Sequence, residues 1–225
     1  MSVKKEKYEE IINELKSQAI SLVAVSKTKP VEDIQELYDL GHRDFGENYV
    51  QEMADKEALL PKDIRWHFIG HLQSNKVKYI APFVYLIHGV DSFNLLKEIN
   101  KQASKNNRVI DVLLQIHIAQ EETKFGLDEE ELNLLIKEYE DLQMKNVRIC
   151  GLMGMASFTD DMDKVRKEFQ CLKKLFNKHA PLQTAQCKLQ TLSLGMSSDY
   201  KIAIEEGSNM VRIGSLLFGE RNNQY

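Results

Sequence analysis

The chain has 225 residues, 43% hydrophobic and 28% charged, with 30 Lys and Arg against 34 Asp and Glu. That is enough apolar material for one sizeable core, and a mixed formal charge of -4 argues against a nucleic-acid or membrane-surface protein. Cys150, Cys171 and Cys187 form no C-x-x-C pair and are expected to be reduced, mostly buried thiols. Met1–Lys7 has no apolar leader, and no run approaches the roughly 18 apolar residues of a spanning helix. A cytoplasmic globular protein is expected.

Ahead of any strand, Tyr8, Ile11, Ile12 and Leu15 repeat at i, i+3, i+4 and i+7, which predicts an amphipathic helix within residues 1–19. Short apolar, β-branched runs then recur at Leu22–Val25, around Phe45, at Trp66–Ile69, Val84–Ile87, Val109–Ile116, Val147–Cys150, Leu189–Leu192 and Met210–Ile213. The second reads as strand mainly by its place in the rhythm. Helix-period segments lie between the runs. Leu132, Leu135, Ile136 and Tyr139 form one stripe behind a cap at Asp128 with Glu131 three residues on. Val165, Phe169, Leu172 and Phe176 form another, opened by Asp160 and Asp161. Eight strands alternating with helices predict parallel pairing with right-handed crossovers. The expected fold is α/β, a single (β/α)8 TIM-type barrel with an extra N-terminal helix, residues 1–225 forming one domain; an open doubly wound sheet is the alternative. The stretch 183–188 shows no motif.

In a barrel the working face is where strands end. Lys27 continues the first apolar run, and a partly buried amine there is a candidate imine-forming nucleophile. After strand seven come Ser197, Ser198 and Asp199, and after strand eight Gly214 and Ser215: small residues and hydroxyls at helix starts, where backbone N–H groups meet anions. The plainer reading of each loop alone is an ordinary cap and a turn. Barrel closure sets strand eight beside strand one, so a phosphate on Ser197, Gly214 and Ser215 would lie next to the Lys27 amine. That pairing suits a phosphorylated aldehyde, either pyridoxal 5'-phosphate or a sugar-phosphate carbonyl. His67 and His71 have i, i+4 spacing but lie on a strand and its loop without H-E-x-x-H, so packing is expected over metal. Gly41 and Gly46 have P-loop spacing with Glu47 in place of lysine. Gly151 and Gly154 permit close backbone approach, and Met153 and Met155 read as barrel packing.

The stretches LVAVSKTKP (residues 22–30), FGENYVQE (45–52), WHFIGHLQ (66–73), GLMGM (151–155), LGMSSD (194–199) and VRIGSLLFG (211–219) resemble the pyridoxal phosphate homeostasis proteins (the YggS/PROSC family), themselves similar to the barrel domain of alanine racemase. The resemblance runs in order through nearly the whole chain; Ser215 stands where many members have threonine. It implies that Lys27 forms an aldimine with pyridoxal 5'-phosphate and that Ser197, Gly214 and Ser215 bind the phosphate. It also implies that Arg212 faces the pyridine nitrogen and that Asn48 borders the ring or its 3-hydroxyl. A buffering and delivering role in vitamin B6 homeostasis follows, without efficient catalysis. Its partners would be the cofactor, amines or amino acids exchanging the imine, and pyridoxal phosphate-dependent apoenzymes. An amino-acid racemase needs a base on each substrate face. A chain ending at Tyr225 would lack the second domain that supplies the other base, so the non-catalytic reading is expected over the racemase one, and a cofactor-free Schiff-base aldolase ranks below both.

Overall fold

The computed structural model describes residues 3–119, 125–180 and 187–219. Eight parallel strands close in sequence order: β1 (Ser21–Val25), β2 (Asp44–Glu47), β3 (Arg65–Phe68), β4 (Leu86–Val90), β5 (Ile110–Gln115), β6 (Val147–Met153), β7 (Cys187–Ser193) and β8 (Met210–Ile213). The expected (β/α)8 barrel is thus present, and the open sheet is not. Helix α1 (Lys5–Ser17) precedes the barrel and packs on β1. Between strands run α2 (Val31–Asp39), α3 (Val50–Leu59), the short α4 (Val77–Ile80), α5 (Phe93–Lys105), α6 (Glu129–Asp141), α7 (Met162–His179) and α8 (Tyr200–Glu205), and α9 (Ser215–Phe218) follows β8.

Most strands are rich in apolar residues because both of their faces are largely buried, whereas β2 and β3 also carry Asp44, Glu47, Arg65 and His67. Phe45, Trp66, Phe68, Ile87, Val112 and Ile149 point at the surrounding helices, whereas Val23, Leu86, Leu113, Met153 and Met210 fill the barrel interior. Met153 therefore packs as expected. The helix stripes bury Leu132, Leu135, Ile136 and Tyr139 on α6 and Val165, Phe169, Leu172 and Phe176 on α7. Asp128 and Glu131 form a reciprocal capping box, and the Asp161 side chain accepts from the Lys164 amide. At Gly151 a Cβ would stand 1.8 Å from the Thr191 carbonyl oxygen. Only glycine lets β6 approach β7 there, beside a register shift.

Strand four departs from expectation. It starts at Leu86, because the Val84 amide still bonds the Ile80 carbonyl at the end of α4 (2.8 Å). It continues through His88 and Gly89, which carry little strand signal. Val109 lies outside β5 and is exposed. The three cysteines form no disulfide, but only Cys187 is buried; Cys150 is half-buried, and Cys171 is exposed on α7. Residues 183–186 of the motif-free stretch, and Tyr225, lie outside the described residues. Among those described, no helix is long and apolar enough to cross a membrane.

Candidate functional site

Closure pairs Ser21 through Ala24 of β1 with Met210 through Ile213 of β8 in register. One step further, Val25 meets the start of the loop after β8: a Cβ on Gly214 would lie 3.2 Å from both Val25 Cβ and Val25 O. The backbone at 214 therefore passes closer to β1 than a side chain comfortably allows. Lys27 stands two residues beyond β1, in the following turn, and is half-buried. Its neighbour Thr28 takes φ +62°, a left-handed conformation that costs a β-branched residue on the order of 1–3 kcal/mol. Lys29 Nζ donates to the carbonyls of Phe218 (2.9 Å) and Gly219 (3.3 Å), tying the β1 loop to the end of α9.

The loops after β7 and β8 are joined directly. The Gly214 amide donates to Ser197 Oγ at 3.2 Å, so Ser197 is not an ordinary cap of α8. Asp199 instead folds its own loop, accepting from the Met196 amide at 2.6 Å. Among the described residues, the amides of Ser197, Ser198, Ser215 and Leu216 find no protein acceptor. Four such donors on two joined loops make an anion-ready surface. Ser215, the first residue of α9, is exposed.

Arg212 points into the barrel and is almost wholly buried. Its guanidinium donates to Ser193 O (3.0 Å), Ser193 Oγ (2.5 Å) and Gly154 O (3.1 Å), all neutral acceptors. Burial pulls its pKa down to about 10, against a small opposing pull from Asp199, so it stays charged at neutral pH. Keeping that charge inside costs the fold about 3 kcal/mol, the shift from 12.5 taken at 1.36 kcal/mol per unit. Arg212→Met would orphan the Gly154 carbonyl, a loss of about 1–3 kcal/mol, while Ser193 O keeps the Gly154 amide. The two changes offset. Chemical denaturation should find the unfolding free energy of this variant within about 2 kcal/mol of wild type; a loss above 4 kcal/mol would mark Arg212 as a structural residue.

Asn48 lies just beyond β2, on the other side of β1 from the β8 loop. Its Oδ1 is buried without a hydrogen-bond partner, an orphan acceptor at the rim of a groove of about 400 Å³ shared with Tyr49, His71, Gln73 and Lys76. A second cavity, about 440 Å³, runs from the β7 loop to the β6 loop between Ser198, Met196, Met155 and Phe158.

Two clusters of side chains bring together residues that the sequence does not link. Inside the barrel, His67 Nε2 lies 3.0 Å from Asp44 Oδ1 and His67 Nδ1 lies 3.0 Å from His88 Nε2, while Arg65 forks onto Asp44. His67 is thus a packed interior residue; His71, in the loop, stacks on Phe125 and pairs with Asp91. Behind the Lys27 turn, buried Lys56 on α3 bonds Ser26 O, Glu47 Oε1 and Glu52 Oε1. The signal missed was a lysine nine residues after a glutamate that ends a strand, which reads as helix surface until α3 folds back on β2.

Fold and site define a (β/α)8 protein with a lysine-bearing loop beside an anion-ready pair of loops on the strand-end face. The chain belongs to the family described as alanine racemase, N-terminal domain, which matches residues 4–222. A pyridoxal phosphate homeostasis protein of Aquifex aeolicus is 48% identical over 202 residues, 89% of this chain and 86% of that protein. PipY of Synechococcus elongatus PCC7942, solved with PLP bound, is 34% identical with a TM-score of 0.83, covering 93% of this chain and 99% of that one. The alanine racemase of Bartonella henselae shares the fold at 16% identity and a TM-score of 0.69, this chain covering 62% of it.

Proposed function

We propose that this chain binds pyridoxal 5'-phosphate at the barrel mouth, buffering and delivering the cofactor rather than catalysing with it. The observation that carries the reading is the Ser197–Gly214 bond, which joins two loops of unpaired amides next to the Lys27 turn. The orphan Asn48 Oδ1 and a buried guanidinium bonded only to neutral acceptors fit the same ligand. Bound there, the cofactor supplies an aldehyde that a primary amine captures as a reversible imine with loss of one water.

In this reading Lys27 presents that amine, and Ser197, Gly214 and Ser215 hold the phosphate. Asn48 accepts from the hydroxyl on the ring. Arg212 faces the ring nitrogen; a group that keeps its proton up to about pH 10 donates a hydrogen bond without surrendering the proton, which weakens the ring as an electron sink. Free amines, amino acids and apoenzymes would take the cofactor by imine exchange. A single domain in a reducing, cytoplasmic compartment suits three cysteines that form no disulfide.

Ser197→Ala tests the phosphate placement. One hydrogen bond to a charged group contributes about 1.5–3 kcal/mol, so titration calorimetry should show pyridoxal 5'-phosphate binding weakened about tenfold or more, with unphosphorylated pyridoxal unchanged. Equal weakening of both ligands would place the phosphate elsewhere.

A further inference from the structure

We propose that Glu52 and Lys56, one turn apart on α3, are positioning residues that set how Lys27 presents its amine. The inference rests on the assignment of Lys27 above and extends it to two residues of α3 to which the sequence reading gives no role. Lys27 sits between two backbone groups, and α3 holds both. On one side the Ser26 carbonyl accepts from Lys56 Nζ at 2.8 Å; on the other the Thr28 amide donates to Glu52 Oε1 at 2.6 Å. Ser26 Oγ adds a third hold, donating to Glu47 Oε1 at 2.6 Å.

The same Lys56 ammonium donates to Glu47 Oε1 (2.8 Å) and Glu52 Oε1 (2.7 Å). Its three protons thus have three acceptors. The side chains of Lys56 and Glu47 are 7% and 0% exposed, and that of Glu52 is 23%. Burial raises the Glu47 pKa, and Lys56 opposes that rise.

A buried ion pair is a weak source of stability, because apolar residues of the same volume often serve as well or better. What it does supply is a fixed geometry. The geometry fixed here is unusual: Thr28 is held at φ +62°, where a threonine does not rest without an external hold. Capture of its amide by Glu52 supplies that hold at the residue next to Lys27. Catalytic and binding groups lose much of their efficiency when displaced by an ångström, so a rigid seat for the amine should govern how readily it meets an aldehyde.

The test separates seating of the amine from the shape of the mouth. Pyridoxal 5'-phosphate can form an imine with Lys27; pyridoxine 5'-phosphate has the same phosphate and ring but no aldehyde. Glu52→Ala leaves Lys56 paired with Glu47 and Ser26 O, so no buried charge is stranded. It should weaken pyridoxal 5'-phosphate binding about tenfold and slow borohydride labelling of Lys27, with pyridoxine 5'-phosphate affinity unchanged within about twofold. Glu52→Gln, whose amide oxygen still accepts from Thr28, should restore both. If Glu52→Ala does not fold, Glu52→Asp, which keeps the charge but shortens the reach, is measured in the same way. Equal weakening of both ligands, wild-type behaviour of the variant, or failure of Glu52→Gln to restore labelling would each overturn the proposal. Should Lys27→Ala still label as wild type does, the assignment of Lys27 itself falls; if Lys27 carries the label and Glu52→Ala labels normally, only the positioning role does.

Discussion

Borohydride treatment of the protein with pyridoxal 5'-phosphate should attach one pyridoxyl group per chain, on the peptide containing Lys27, and Lys27→Ala should reduce that label to background. Two lysines compete for the label in the same loop. Lys29 spends its ammonium on the Phe218 and Gly219 carbonyls, and an amine held as a hydrogen-bonded cation is a poor nucleophile. Lys27 lies at the turn flanked by the two loops whose amides are unpaired. The substitution should leave the fold intact, with the unfolding free energy changed by less than about 1 kcal/mol, because a half-buried side chain outside the apolar clusters contributes little to the core. Peptide mapping by mass spectrometry reads the site, and a label that persists at another lysine in Lys27→Ala would overturn the assignment.

The ease with which Lys27 is read from sequence, and the difficulty of reading Lys56, have one physical cause. Lys27 follows an apolar strand by two residues, in the turn that leaves it, so its local neighbours alone mark it as an exception. Lys56 sits in α3 among Ala54, Asp55 and Glu57, where a lysine ordinarily faces water; its burial depends on Glu47 and Ser26, nine and thirty residues away. Strands with largely buried faces write themselves as apolar runs, and most of the expected runs overlap the observed strands for that reason; β2, Asp44-Phe45-Gly46-Glu47, is legible mainly by its place in the rhythm. The fourth run straddles the end of α4 and the start of β4, and apolar burial marks both without telling them apart. The Gly214 and Ser197 loops were legible as small-residue turns, but their mutual hydrogen bond is a consequence of β7 and β8 lying side by side. No pattern in either loop encodes it. His88 was invisible for a related reason: a histidine on an inward strand position is polar in sequence and wholly buried in the fold.

That burial makes the barrel acid-sensitive at a mild pH. His42 is pulled down from 6.5 to about 4 by burial, with its Nε2 against the Asp44 carbonyl (2.9 Å) and its Nδ1 against Tyr8 Oη (3.4 Å). His88 is lowered well below 6.5, first by burial and then by the charges of His67 and Arg212. Both stay neutral in the folded protein while the unfolded chain takes up protons below pH 6.5, so stability falls as pH drops through that window. A histidine still neutral at pH 5 costs about 2 kcal/mol, 1.5 units at 1.36 kcal/mol each.

Shifted carboxylates also bear on the sum, Asp44 and Glu47 among them. Burial would raise Asp44, but the bonds from Arg65 and His67 override it and hold the acid far below its usual range, so its contribution is lost only below pH 3.8. Glu47, raised by burial, binds its proton in the folded state first and gains stability as pH falls, partly offsetting the histidines. Urea denaturation at pH 7, 6 and 5 should therefore show a net loss of roughly 2–4 kcal/mol. His42→Gln, which cannot take up a proton, should remove about half of that slope. An unfolding free energy that stays flat from pH 7 to 5 would mean that the interior histidines accept protons without cost, and that the Asp44–His67–His88 chain is open to water.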